Sequence, residues 1–468
     1  MRILIFFPAI FLLSSISFGQ QAIIVVQADS SDGQMLYLTR FHAPGLEYDR
    51  IDSAKVSGQP VRFTVVPDPI RPYEIRLGCQ YVCQLYLAAG DSLIYHYSPS
   101  NLDLVFDRIG ANKAAQDTAI RPQSQWLFYR AMGDRNWAST RSYVTAIRQK
   151  METEAGRLLA QFPEHPGLAS ALRADALRWY YEPQLRYFYR YFDSSEGIAS
   201  EDPNHLKFID SIQWSHQDLV HSSDMDGLVS EWLNLAGWRS GIHGPETSEK
   251  DRDEVGIEIA FTLPPPSRDV AILTAMKELT WLSPSKAVAI GERAIARYRP
   301  LASDTAYLIA CEKSLDAIRS RLPGKLAPAF SLPDSTGRLH ALADFRGKVI
   351  YLDFWGTWCH PCVQELPALR KLEEKFAGDT SIAFVSIAIE YRRLAAWKKF
   401  LQTQKLPATQ LYAEGQFHNE TARAYGIEGV PTYMLINRDG TFIDAAAPRP
   451  SSGKAEAAIR NALTKSGD

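Results

Sequence analysis

Val349-Ile350-Tyr351-Leu352-Asp353-Phe354-Trp355 is apolar at every position but one, and four residues on the chain reads Cys359-His360-Pro361-Cys362. A continuous apolar run of this length fits a strand buried on both faces, the kind found in parallel sheets covered by helices. The stretch that follows, Pro361–Phe376, has helical apolar spacing. Further apolar runs at Ile382–Ile389 and Tyr433–Ile436 alternate with helical stretches at Leu394–Gln404, Asn419–Tyr425 and Lys454–Leu463. Strands alternating with helices predict an α/β layered domain over residues 323–468, set off by Leu322-Pro323-Gly324-Lys325-Leu326-Ala327-Pro328.

The rest of the 468 residues has a different character, and at roughly 150 residues per domain that length predicts about three domains. Between residues 20 and 110, short runs rich in β-branched or aromatic residues are bounded by turn formers: Ala22–Val26, Met35–Thr39, Val61–Val66, Tyr73–Leu77, Leu85–Leu87 and Leu93–Tyr97. This pattern predicts an antiparallel β-sandwich. Residues 111–322 read as helical, with amphipathic segments at Trp137–Gln161, Leu168–Tyr181, Ser267–Leu282, Ser285–Tyr298 and Ser303–Arg319. Pro163, Pro166, Pro183, Pro203, Pro284 and Pro300 fall where helices are expected to stop or start. The fold class is therefore multidomain: a sandwich, a helical middle and a C-terminal α/β domain.

Residues 1–19 carry one arginine, an apolar core from Ile3 to Leu13 and small residues at Ser17 and Gly19, the pattern of a secretory signal. The core is short for a bilayer span, which needs about 20 residues, and Pro8 interrupts it. The expectation is an exported protein with no transmembrane segment in the mature chain, in the periplasm or cell envelope, where disulfides persist. Lys+Arg number 51 against 53 Asp+Glu, a balance that excludes the basic footprint of a general nucleic-acid binder.

Two cysteines separated by two residues at a strand-to-helix junction can open and close a disulfide. At the helix N-terminus, unpaired N–H groups and the helix dipole favour a Cys359 thiolate. That thiolate can attack a client disulfide, and Cys362, one turn inside, can displace the product. Pro361 fits the first turn, where its missing N–H costs little. Asp353, inside the apolar strand, and Glu365, three residues after Cys362, are the candidates to take the Cys362 proton. A protonated His360 beside the nucleophile would favour the thiolate.

The segment Phe354-Trp355-Gly356-Thr357-Trp358-Cys359-His360-Pro361-Cys362, with Glu365-Leu366-Pro367 after it, resembles the thioredoxin-fold disulfide reductases of the TlpA/ResA type. The lead-in Ala327-Pro328-Ala329-Phe330-Ser331-Leu332-Pro333-Asp334 and the later Asp344-Phe345-Arg346-Gly347-Lys348 are similar to the same family, as is Gly429-Val430-Pro431-Thr432. The resemblance implies a thioredoxin fold in which a cis Pro431 packs against the cysteines and Val430 offers backbone groups to a substrate strand, beside Trp358, His360 and Pro361. It places Asp353 on the buried-Asp position of thioredoxin and Glu365 on the active-site Glu position of ResA-like proteins, leaving open which is the base. It also implies clients that are exported disulfide proteins, apocytochromes among them, and a membrane reductant as electron source; no cofactor is expected. Leu87-Ala88-Ala89-Gly90-Asp91-Ser92-Leu93 and Phe106-Asp107-Arg108-Ile109-Gly110 resemble an N-terminal β-sandwich often fused to such reductases, which adds architecture only.

Other readings remain. A zinc site needs two more ligands than one C-x-x-C pair supplies. A binding or scaffold protein with a secondary redox tip, or an oxidant or isomerase, would use the same dithiol differently. Cys79 and Cys83 would lie about 13 Å apart in one straight strand, but within bonding reach if Gln80–Val82 were a hairpin loop; with export, a structural disulfide is expected. Cys311 reads as a buried small apolar residue on a helix. The aromatic cluster from Trp179 to Phe192 reads as packing.

Overall fold

A computed structural model describes residues 21–28, 34–41, 45–46, 49–57, 59–68, 71–77, 80–98, 101–106, 137–192, 212, 214, 225–239, 249–391, 393–404, 406 and 409–465. The expected signal at 1–19 and residue Cys79 lie outside these. No helix of the described residues is long and apolar enough to cross a membrane.

The described chain forms two compact units, one holding residues up to 197 and the other residues from 226 to the end, each with a small exchanged piece between 198 and 225. In the first unit, strands β1 (Ala22–Ala28), β2 (Met35–Arg40), β3 (Asp49–Lys55), β4 (Val61–Val65), β5 (Tyr73–Leu77), β6 (Gln80–Leu85), β7 (Ser92–Ser98) and β8 (Asn101–Phe106) build two four-stranded sheets, β4-β1-β7-β8 and β3-β2-β5-β6. Alternation explains their core: Ala22, Ile24 and Val26 of β1, Leu36 and Leu38 of β2, and Phe63 of β4 all turn to one buried cluster with Tyr73 and Ile75 of β5. The pairing departs from the purely antiparallel expectation, because β1 and β7 run parallel. Helices α1 (Trp137–Gln161) and α2 (Pro166–Phe192) complete this unit. Pro166 opens α2 as expected, but Pro183 lies within the helix and does not end it. A proline there removes one backbone donor and is tolerated when the rest of the helix holds.

The second unit begins with α3 (Met225–Arg239), α4 (Glu249–Phe261), α5 (Ser267–Glu278), α6 (Pro284–Tyr298) and α7 (Thr305–Arg319). Two of these, α3 and α4, have no counterpart among the segments read from sequence. Beyond them come a β9 (Ser331–Pro333) and β10 (Leu339–Ala341) hairpin, then β11 (Val349–Trp355), α8 (His360–Lys375), β12 (Ile382–Glu390), α9 (Leu394–Gln404), β13 (Thr409–Glu414), α10 (Glu420–Ala424), β14 (Thr432–Ile436), β15 (Phe442–Asp444) and α11 (Ala455–Lys465). The five-stranded sheet has the order β13-β12-β11-β14-β15. β11 and β12 are parallel, as are β12 and β13, while β14 runs antiparallel to β11.

Every residue of β11 is buried, as its composition predicts. Its two faces feed different cores. Ile350, Leu352 and Phe354 pack with Met434, Ile436 and Tyr425. Val349 and Tyr351 pack with Leu369 and Leu372 of α8. Trp355, on that same face, joins Cys359, Cys362 and Trp397. Asp353 lies between Tyr351 and Trp355 by the same alternation, so a carboxyl group sits in the layer between β11 and α8.

Candidate active site

The C-terminal ends of the parallel strands are where an open α/β sheet offers a crevice, and Cys359 stands just past the end of β11. Gly356 makes the turn possible: a Cβ there would lie 2.6 Å from the Trp358 indole nitrogen. That indole folds back, donating from Nε1 to Ile389 O at 3.0 Å and packing edge-on to Phe417. Cys359 is the N-cap of α8, and its sulfur accepts from the Cys362 backbone N–H at 3.1 Å. Cys359 and Cys362 are joined in a disulfide with Cα atoms 5.2 Å apart. Both are buried, Cys362 (2% exposed) more than Cys359 (5%). His360 and Pro361 are exposed on the first turn of α8, and the His360 ring contacts the Gln364 amide at 3.1 Å.

The loop before β14 closes the other side. The Val430–Pro431 peptide is cis, and Val430 O lies 3.5 Å from Cys359 Sγ. Val430 packs against the same cluster as the two cysteines. In the reduced protein a Cys359 thiol can donate to this carbonyl.

Three buried carboxylates belong to the same region, and they differ in how they are held. Glu365, on α8, accepts from Ser451 N at 3.0 Å and Ser451 Oγ at 2.6 Å, so both oxygens are occupied. Asp353 has one long contact, from Ser386 Oγ at 3.4 Å, and its Oδ1 has no partner. Burial pushes the Asp353 carboxyl up to about 8, with the Glu373 and Glu365 carboxylates adding to the effect and the Ser386 bond opposing it. Glu390, fully buried at the end of β12, accepts from the Thr357 N–H at 2.6 Å and anchors the loop that leads to Cys359; burial raises its carboxyl as well. The sequence reading ended that strand one residue short, at Ile389, and so missed Glu390. A carboxylate closing an apolar run at the C-terminal end of a parallel strand was the signal available.

The structure thus gathers Cys359, Cys362, Asp353, Glu365, Trp358, His360, Pro361, Val430 and Pro431 around one junction. Cys79 lies outside the described residues, as does the side chain of Cys83, so their pairing does too; the backbone of 80–82 is strand β6. Cys311 is fully buried on α7, and burial pushes its thiol up to about 12, far from a reactive thiolate.

A buried dithiol at a helix N-cap, a cis-proline loop against it and a carboxyl in the layer beneath define the class of thioredoxin-like dithiol–disulfide proteins. The Redoxin family model matches residues 322–463. Thiol-disulfide oxidoreductase ResA of Bacillus anthracis is 31% identical over 121 residues, 26% of this chain and 67% of its own length. ResA of Bacillus thuringiensis subsp. konkukian is 33% identical over 120 residues, of which the chain spans 66%. Thioredoxin-like protein YneN of Bacillus subtilis is 30% identical over 121 residues, 69% of its length. Among solved structures, a thiol-disulfide oxidoreductase from Bacteroides fragilis is 26% identical, covering 29% of this chain and 99% of its own at a TM-score of 0.26. Through its C-terminal domain the chain belongs to the ResA-like thiol–disulfide oxidoreductases.

Proposed function

We propose that the full chain is an exported disulfide reductase acting through Cys359 and Cys362. The observation that carries this reading is the disulfide between an N-cap cysteine and a residue one turn into α8, faced by Val430 O. In the reduced form the Cys359 thiolate attacks one sulfur of a client disulfide; the client's other sulfur leaves as a thiolate and takes a proton. Cys362 then gives its proton to Asp353, directly or through one water, and attacks Cys359 Sγ. The second client sulfur leaves, the client holds two thiols, and the enzyme holds the Cys359–Cys362 bond. Two electrons have passed to the client. An external dithiol must return them, and a membrane reductant is the proposed source.

Asp353 is favoured over Glu365 as proton acceptor because it has a free oxygen and a carboxyl raised toward neutrality, whereas Ser451 occupies Glu365. Pro431 and the Val430 backbone shape the groove for an extended client segment. Residues 1–19 support export to the periplasm or cell envelope, and exported disulfide proteins, apocytochromes included, are the proposed clients. The shared core of the two N-terminal sheets supports reading them as the layers of a β-sandwich. The test is insulin reduction with dithiothreitol as electron source: Cys359→Ser is expected to abolish turnover, and unchanged activity in that variant rejects the assignment.

A further inference from the structure

The segment preceding the redox domain reaches its client loop. After α5 a short turn, Leu279–Trp281, presents Trp281, and the indole lies directly against Gly429, the second residue before Pro431. A Cβ at Gly429 would fall 2.3 Å from Trp281 Cη2, so only glycine admits this approach. The ring is not buried by it: Trp281 remains 49% exposed, the most exposed aromatic among the described large apolar residues. Its far edge packs against the Gly429 backbone, where any side chain would collide with the ring. Beneath it, Arg321 (4% exposed) donates to Ala317 O and Gly426 O at 3.3 Å, tying the end of α7 to the same loop. Trp281, Arg321, Gly426 and Gly429 wall a cleft of about 370 Å³ that continues to Pro431 and Thr432.

We propose that Trp281 is a specificity-determining residue of the client site. In this arrangement the cleft receives the extended polypeptide beside the client's disulfide, and a bulky apolar side chain near the client cysteine lies on the exposed indole face. The inference rests on the reading of the Pro431 loop as the client groove, since the cleft is continuous with it. A rigid indole with half its surface open contributes contact area at little entropic cost, which is how aromatic residues dominate peptide recognition. No residue of the exchange chemistry lies in this part, so its effect falls on which client binds and not on the dithiol itself.

The test uses the full chain, dithiothreitol and two disulfide-linked peptides, one with Leu and one with Ser next to the cysteine. The expected wild-type result is a preference of about tenfold or more in kcat/KM for the Leu peptide, expressed in KM, of the size a hydrophobic contact supplies. Trp281→Ala is expected to bring the two peptides within about twofold, with the Cys359–Cys362 reduction potential unmoved, and Trp281→Phe to keep most of the preference. Gly429→Ala, which displaces the ring from the other side, should reproduce the Trp281→Ala result. A preference that survives both Trp281→Ala and Gly429→Ala overturns the inference, as does a wild type that reduces the two peptides equally. A wild type that reduces neither peptide instead removes the reductase reading beneath it.

Discussion

Two aspartates of the second unit are almost completely buried, and they are held in opposite ways. Asp269, on α5 in the helical segment, accepts from Tyr298 Oη at 2.6 Å, from Ser303 N at 3.2 Å and from Ser303 Oγ. Asp353, on β11 in the redox domain, has one 3.4 Å bond and an oxygen with no partner. A fully satisfied buried carboxylate fixes structure, because its charge is spread over donors that would otherwise be stranded. An undersatisfied one is held where its charged form is disfavoured, at a cost in stability, and such a group is poised to take up a proton. Burial is common to both aspartates; what separates them is the count of donors around the carboxylate.

Breaking this contrast should affect stability at one site and rate at the other. The largest effect expected is for Asp269→Ala, roughly 3–5 kcal/mol of lost stability in denaturant unfolding, since three donors are stranded at about 1–3 kcal/mol each. The exchange rate per folded molecule should be unchanged there. Next, Asp353→Asn should slow resolution of the mixed disulfide by about 10²-fold or more at neutral pH, the range of general base catalysis, measured by stopped-flow release of client thiols. The same variant should remove a pH dependence. A carboxyl raised from 3.8 to about 8 binds its proton more tightly when folded, so its stabilisation is complete below pH 4 and is lost as pH rises to about 8. Wild-type stability should therefore fall across that window by up to about 1.4 kcal/mol per pH unit from this group, and Asp353→Asn should flatten the slope. The smallest effect is at Ser451→Ala, which removes the 2.6 Å bond to Glu365 and should cost about 1–2 kcal/mol with little change in rate. A rate loss at Ser451→Ala as large as at Asp353→Asn would erase the distinction between the two carboxylates.

The redox junction was largely legible in sequence because its parts are local. Strand, turn, cysteine pair and helix follow within Val349–Lys375, and an apolar run with one aspartate announces a buried carboxyl directly. What stayed hidden depends on distant pairing. Ser451 holds Glu365 from 86 residues away, and Trp281 meets Gly429 only in the folded unit. β3 escaped notice for a different reason: Asp-Arg-Ile-Asp-Ser-Ala-Lys is an edge strand with no fully buried residue, so it carries no apolar alternation. The helix α4 ends in Ile257, Ala260 and Phe261 but opens on six charged residues in a row, and its apolar stripe is short. Where a protein's partner is near in sequence, pattern suffices; where it is far, only the fold reveals it.

In this mechanism clients exchange electrons at Cys359 and Cys362. Mixing reduced Cys362→Ser protein with insulin, alkylating, and mapping the adduct by mass spectrometry addresses it most directly. The expected result is a stalled covalent link on Cys359 that dithiothreitol releases, whereas wild type yields two insulin thiols for each Cys359–Cys362 bond formed. An adduct on Cys79, Cys83 or Cys311, or none at all, would contradict it.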